Sequence, residues 1–285
     1  MCTVTLIARR NGYALGMNRD EKLARVRGLP PALHRLAGRD ALFPSEPSGG
    51  TWIGVNDAGL TLPLINWYSV GVRAARQNVS RGEVVKAALP FDSLSTVDEA
   101  LAALPLARVN PFRLIGVFPA HKAVAEWRWN LTRLNRLDHR WRTNTWISSS
   151  FDESGAQQAR GKTFGKMLRQ RSAESVDWLR RLHQAHAPEI GPYSICMHRN
   201  DAATVSCTEI VVSGSVATVR YQPGPPCCRM PMSTRTLKKL APSGPSLDKR
   251  CFLGSRPATG LVGAFGPRPS RPSPRLALAV APTAR

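Results

Sequence analysis

MCTVTLIARRNGYALGMNRDE (residues 1–21) is the stretch from which the fold is read. Residues 2–8 alternate, with Cys2, Val4 and Leu6 on one face and Thr3, Thr5 and Ile7 on the other. A period of two is the signature of a strand. Asn11-Gly12 follows, a pair that accepts positive φ and favours a two-residue hairpin turn. Tyr13–Met17 then returns as a second strand. With Asn11-Gly12 as the loop, Cys2 faces Glu21, Thr3 faces Asp20 and Val4 faces Arg19. Arg19 shares a face with Cys2 as its diagonal neighbour, within reach of a long side chain. Asp20 falls on the opposite face in that register.

The cysteine itself suggests chemistry. A methionine followed by a small residue is normally trimmed, so the mature chain is expected to begin at Cys2. It would then carry a thiol and a free α-amine on one residue. The thiol can attack an acyl carbon while the amine, with an ordinary pKa near ~8, takes the proton. A guanidinium at position 19 would depress the thiol pKa and could grip a substrate carbonyl or carboxylate.

Further along, GGTWIGVNDAGLTLPLIN reads as a second hairpin, with strands Thr51–Val55 and Leu60–Ile65 about a turn at Asn56–Gly59. SRGEVVKAAL places Ser80 three residues before Glu83, a capping box that starts a helix. STVDEALAAL, with Ser95 or Thr96 as cap, is a second helix. FRLIGVFP and KAVAEWRWN return to strand patterns, with Trp127 and Trp129 as core residues. DESGAQQARGKTFGKMLRQ and SAESVDWLRRLHQ are helical. YSICMH, TVSCTEIVVS and VATVRYQ read as three further strands. Strands, then helices, then strands argue for an α+β domain with largely antiparallel sheets. Residues 1–227 form this domain. Residues 229–285 hold nine prolines and five glycines without periodicity. Residues 228–285 are therefore read as a disordered tail, unable to bury enough apolar surface to offset ordering entropy.

Composition narrows the function classes. The chain has 40 basic and 19 acidic residues, a formal net charge of +21. Such a balance points towards nucleic acid. Yet 32 of the basic residues are arginine, as a GC-rich coding sequence would give, and residues 1–228 carry no basic stripe with interleaved aromatics. A nucleic-acid partner is not expected. No run reaches the ~20 apolar residues of a membrane span, and the N-terminus lacks a signal peptide. A soluble, cytoplasmic protein is expected. Of the six cysteines, none forms a C-x-x-C pair. Cys196 and His198 share a strand face but lack two further ligands nearby. His183 and His186 lie three apart on a helix without a carboxylate partner. No metal and no cofactor is therefore assigned.

The opening stretch resembles the signature of the NRDE family, the transport and Golgi organisation 2-like proteins. GGTWIGVNDAGL, LINWYS, SRGEVV, NPFRLIGV and WISSSFDESGAQQARGKTF extend the resemblance over roughly residues 2–220. This family in turn is similar to cysteine N-terminal nucleophile hydrolases such as penicillin V acylase and bile-salt hydrolase. The resemblance implies a four-layer αββα sandwich. It implies Cys2 as nucleophile, Arg19 and Asp20 as its electrostatic partners, and Asn66 as an oxyanion donor. Asn18, Glu21 and Ser149 are assigned to substrate binding. Where the family reads Leu-Ser-Asn, this chain reads Ile147-Ser148-Ser149, so Ser149 would stand in for a longer donor. The function expected is hydrolysis of an amide bond in a small acyl-amide substrate. The alternative is a non-catalytic carrier of haem or an acyl lipid.

Overall fold

The computed structural model describes residues 2–75 and 79–240. In chain order its strands are β1 (Cys2–Arg9), β2 (Gly12–Lys22), β3 (Leu29–Leu36), β4 (Arg39–Ser45), β5 (Val55–Asn56) and β6 (Leu64–Asn66). Two helices follow, α1 (Arg81–Ala88) and α2 (Leu94–Ala102), then strands β7 (Phe112–Phe118), β8 (Ala123–Trp129), β9 (Leu134–His139) and β10 (Asn144–Ser148). Helices α3 (Glu153–Leu168) and α4 (Val176–His183) precede β11 (Ala202–Ser213), β12 (Val216–Pro223) and β13 (Ser233–Lys238). One sheet has the order β10-β1-β2-β11-β12-β13, with every neighbouring pair antiparallel. The second layer joins β3-β4-β5 to β6-β7-β8-β9 through Thr61, which bridges Val55 and Val117.

Three apolar clusters stack these elements into four layers. Val4, Leu6, Leu15, Met17, Ile210 and Val219 of the first sheet interdigitate with Leu42, Val55, Ile65, Ile115 and Val117 of the second. The outer face of the second sheet, including Phe43, Leu64, Phe112 and Trp127, packs on Val84, Val85, Val97 and Leu101 of α1 and α2. Ile7 and Ala14 on the outer face of the first sheet pack on Trp178, Leu179 and Leu182 of α4. The result is the expected αββα sandwich. Alternation along β1 decides it, because odd positions meet helices and even positions meet the facing sheet. Trp127 and Trp129 are core residues, as read.

The hairpin register differs from the sequence reading. Cys2 pairs with Arg19, Thr3 with Asn18 and Val4 with Met17. The loop is therefore Arg10-Asn11, and Gly12 is already a strand residue. Among the described residues the non-glycine positions with positive φ are Ala37, Lys122, Leu131 and Glu174, so Asn11 does not use its left-handed tolerance. Gly12 is needed for close approach. Its φ is +120°, and a Cβ there would lie 1.9 Å from the Val212 carbonyl oxygen of β11.

Other elements moved too. The second hairpin survives only as Val55–Asn56 and Leu64–Asn66, with Leu62 N–H donating to the Gly54 carbonyl between them. Its turn is held by Asn56, whose amide donates to the Leu89 and Phe91 carbonyls at the end of α1. α2 is capped by Ser93, not Ser95 or Thr96. β3, β4, β9 and β10 are strands the sequence patterns did not mark. YSICMH is no strand: its backbone bonds run to Ala185, Gly191 and Thr204 in an irregular loop. Ser80 caps α1 as read, accepting from Gly82 N–H. The domain does not stop at 227 either, because β13 extends the first sheet by pairing with β12 and buries Leu237. The remainder of the expected tail, from residue 241, lies outside the described residues.

α4 is locked to β2 through one amide. Asn18 Nδ2 donates to the carbonyls of His183 and Ile195, at 2.8 and 2.9 Å. Asn18 Oδ1 is then the acceptor for His183 Nδ1, 3.0 Å away, so that nitrogen carries the hydrogen. The imidazole is sealed, with a pKa lowered by burial to about 3.

Two outcomes follow from this packing. A chain ending at Cys228 should be less stable than one ending at Leu240 by at least about 2 kcal/mol in urea unfolding, the worth of one buried leucine. The unfolded chain protonates His183 near pH 6.5 but the folded chain only near pH 3. Stability from this group is complete above pH 6.5 and falls as pH drops towards 3. The slope of unfolding free energy against pH in that window should diminish by about one proton in His183→Gln.

Candidate active site

The ends of β1 and β2, the loop after β4, β6 and the start of α1 enclose a cavity of about 310 Å³. Cys2, Arg19, Glu21, Arg25, Glu46, Trp52, Asn66 and Arg81 are among its lining residues. Cys2 sits in the middle of a cross-strand row, Arg19–Cys2–Ser148, all buried. Residues directly opposite on antiparallel strands share a face with Cβ atoms about 5 Å apart. Arg19 is thus closer to Cys2 than the diagonal placement expected.

Arg19 is held on two sides. Its Nη2 donates to Glu46 Oε1 at 2.5 Å, and its guanidinium carbon lies 4.3 Å from the Trp52 ring centroid. Glu21 Oε2 is 3.8 Å away, and Arg25 bridges both acids, at 3.2 Å from Glu21 and 2.8 Å from Glu46. Glu46 is presented by a tight turn in which Glu46 N–H donates to Gly50 O and Gly49 N–H to Glu46 O. The opposite wall is the first turn of α1. A Cβ on Gly82 would lie 2.6 Å from Thr51 N and 2.7 Å from Gly50 Cα, so only glycine lets the helix close the cavity there. Arg81 enters from this wall, its pKa lowered by burial and partly restored by Tyr68. Nothing in the sequence patterns marked Glu46, Trp52 or Arg81. Arg81 lies inside the capping box that starts α1, a signal for helix and not for a site.

The Cys2 thiol is not depressed as the sequence reading expected. Burial pushes it up, against the pull of the chain's amino terminus and Arg19 and a hydrogen bond from the Asp20 backbone. Asp20 borders the cavity, but its carboxylate is engaged on the helical side of the sheet. Arg160 Nη1 of α3 donates to Asp20 Oδ2 at 3.1 Å and to Thr3 Oγ1 at 2.8 Å. Thr204 Oγ1 donates to Asp20 Oδ1 at 2.7 Å. Both members of the ion pair are fully buried.

The remaining assignments divide. Asn66 lines the cavity and donates from Nδ2 to Tyr68 Oη at 2.7 Å. Glu21 stands in the cavity. Asn18 does not reach it, since its whole amide serves the α4 contact on the other face of β2. Ser149 does not line it either; its Oγ accepts from Phe151 N–H at 3.3 Å. The serine on the Cys2 face is Ser148, whose buried Oγ has no hydrogen-bond partner. Elsewhere, His186, Cys196, His198 and Cys227 place one ligand atom each within 4.8 Å of one another. The sequence reading assigned no metal because Cys196 and His198 lacked two companions; folding brings His186 and Cys227 to them. No helix among the described residues is long and apolar enough to cross a membrane.

Breaking the Asp20–Arg160 pair should be expensive. Arg160→Met leaves a buried carboxylate without its cation and should cost about 3–5 kcal/mol in denaturant unfolding. Adding Asp20→Asn should restore part of that loss, because the uncompensated charge is gone.

Two solved structures trace a similar path. Penicillin V acylase from Agrobacterium tumefaciens is 9% identical with a TM-score of 0.48, covering 78% of this chain and 83% of that one. The C2A mutant of conjugated bile acid hydrolase from Clostridium perfringens is 9% identical with a TM-score of 0.48, covering 83% of this chain and 97% of that one. No curated protein matches the sequence. Residues 1–133, which carry the opening signature and every strand and helix of the cavity wall, match the family described as Transport and Golgi organisation 2.

Proposed function

We propose that the chain is an acyl-amide hydrolase whose nucleophile is Cys2 Sγ, freed when the residue before it is removed. The observation that carries this reading is the position of Cys2 on the wall of a cavity that also presents Arg19, Arg81, Glu21 and Asn66. The thiol gives its proton to the Cys2 α-amine and attacks the acyl carbon. The C–N bond breaks as that proton passes to the leaving amine, and a thioester remains on Cys2. Water then adds to the thioester, releasing the carboxylic acid and returning the thiol. Asn66 Nδ2 is the side-chain donor on the cavity wall suited to the tetrahedral oxygen, once it turns from Tyr68. The guanidinium groups favour a substrate that carries a carboxylate. A charged lining of this kind favours a polar acyl-amide over haem or an acyl lipid. Asp20 supports Cys2 from behind, as a positioning residue.

Exposing the α-amine on Cys2 brings an ammonium next to the sulfur and opposes the effect of burial. A chain beginning at Cys2 should therefore react with iodoacetamide near neutral pH faster than one retaining the preceding methionine. It should also label faster at Cys2 than at Cys207, whose thiol burial pushes up to about 12. Arg19→Ala should slow that labelling. Cys2→Ala should abolish turnover of acyl-amides while leaving the unfolding free energy within about 1 kcal/mol of the parent. Equal labelling of the two chains, or a native protein that keeps its methionine by intact mass, would defeat the nucleophile assignment.

A further inference from the structure

We propose that His186, Cys196, His198 and Cys227 form a structural site for one divalent ion of the zinc class. The four residues come from two places. His186, Cys196 and His198 belong to the connection between α4 and β11, and Cys227 follows β12. Cys196 Sγ lies 3.5 Å from His198 Nε2, and Cys227 Sγ lies 3.4 Å from the same nitrogen. With zinc–sulfur and zinc–nitrogen bonds of about 2.3 and 2.1 Å, a tetrahedron has sulfur–nitrogen edges of roughly 3.6 Å. The observed separations match that edge. His186 Nε2 is buried without a hydrogen-bond partner, and the His186 and His198 rings stand 5.1 Å apart at 68°. An orphaned imidazole nitrogen beside two thiols is the donor a fourth coordination position requires.

The backbone prepares this geometry. Cys196 N–H donates to the Ala185 carbonyl and His198 N–H to that of Gly191, at 3.0 and 3.3 Å. Ser194 Oγ donates to the Cys196 carbonyl at 2.6 Å. On the Cys227 side, Gly224 N–H donates to Val205 O at 2.7 Å, and Gln222 Nε2 reaches the Pro225 and Cys228 carbonyls, both at 2.8 Å. Four protein ligands close a site of the structural kind, leaving no position for substrate. Binding displaces one proton from each thiol, so two thiolates neutralise the divalent charge. The exposed Cys227 provides the entry side. The ion would clip the segment after β12 to the α4–β11 connection. Met197, between two ligands, donates its N–H to Thr204 Oγ1, which donates to Asp20. The clip therefore stands two hydrogen bonds behind the carboxylate that supports Cys2.

The test uses the full chain, reduced and stripped by a chelator, then titrated with Zn²⁺ against a chromophoric competitor and with Co²⁺ alone. One equivalent of each ion per chain is expected. Cobalt should give intense visible d–d bands and near-ultraviolet thiolate charge transfer, the marks of a tetrahedral sulfur-containing site. Cys227→Ser, at an exposed position, should lower zinc affinity by more than ~100-fold, beyond the usual cost of an outer-shell change. It should also weaken the charge-transfer band. Cys228→Ser and Cys2→Ser should alter neither. The proposal is overturned by substoichiometric zinc, by a weak octahedral cobalt spectrum, or by unchanged affinity in Cys227→Ser. It is equally overturned if loss of binding accompanies Cys2→Ser, or if protein alkylated at lysis carries a Cys196–Cys227 disulfide.

Discussion

A carboxylate and a guanidinium, both sealed from water, join β2 to α3 behind the strand that carries Cys2. Asp20 is satisfied by Arg160 on one oxygen and Thr204 on the other, and Arg160 also donates to Thr3. Burying such a pair is costly and brings little net stability. What it does supply is direction. Asp20 stands on the helical face of β2, with Thr3 on the same face of β1, so their neighbours Cys2 and Arg19, which pair directly, must point the other way, into the cavity. A slip of one residue in β2 would turn Asp20 away from Arg160 and Thr204 and leave Arg160 buried without its counter-charge.

This explains how much could be read from sequence and how much could not. The alternation of residues 2–8 was visible, and with it the two-sheet core. The register was not, because Gly12 looked like a turn residue while its real task is to let β11 pass within contact of the backbone. β9 went unread because its positions are largely exposed, so no apolar alternation marks it. β10 was read as a site motif instead of as the strand opposite Cys2. YSICMH showed the opposite failure. Its alternation comes from a loop that buries Ile195, Cys196 and Met197 through irregular hydrogen bonds.

The site divides along the same line. Cys2, Arg19, Glu21 and Asn66 were legible because they lie near strand ends in short contiguous motifs. Glu46, Trp52 and Arg81 reach the cavity only through a turn, an irregular segment and a helix start, each from a different part of the chain. Arg25 and Glu46 likewise meet only once β2 and the loop after β4 are folded. Cys227 meets His198 because the β11–β12 hairpin returns the chain to its starting point, a closure that local spacing cannot encode. On the cavity wall Glu21 and Glu46 offset Arg19 and Arg25, while Arg81 makes no ion pair among the described residues, an arrangement that the surplus of arginine in the composition did not reveal.

β13, which follows β12 in the ladder, covers a hydrogen-bonding edge of the first sheet. β13 occupies the ladder positions of β12 and presents Arg235 and Lys238 outward, both exposed. Among the described residues β13 is the outermost strand of its sheet, and charged side chains are common on such edges. Without β13, the hydrogen-bonding edge of β12 would stand open beside Val216, Val219 and Tyr221, a β-branched and aromatic run able to recruit an identical edge. β13 thus closes an edge of that kind, and a cut between Cys228 and Ser233 would free β12 to pair with whatever strand came next.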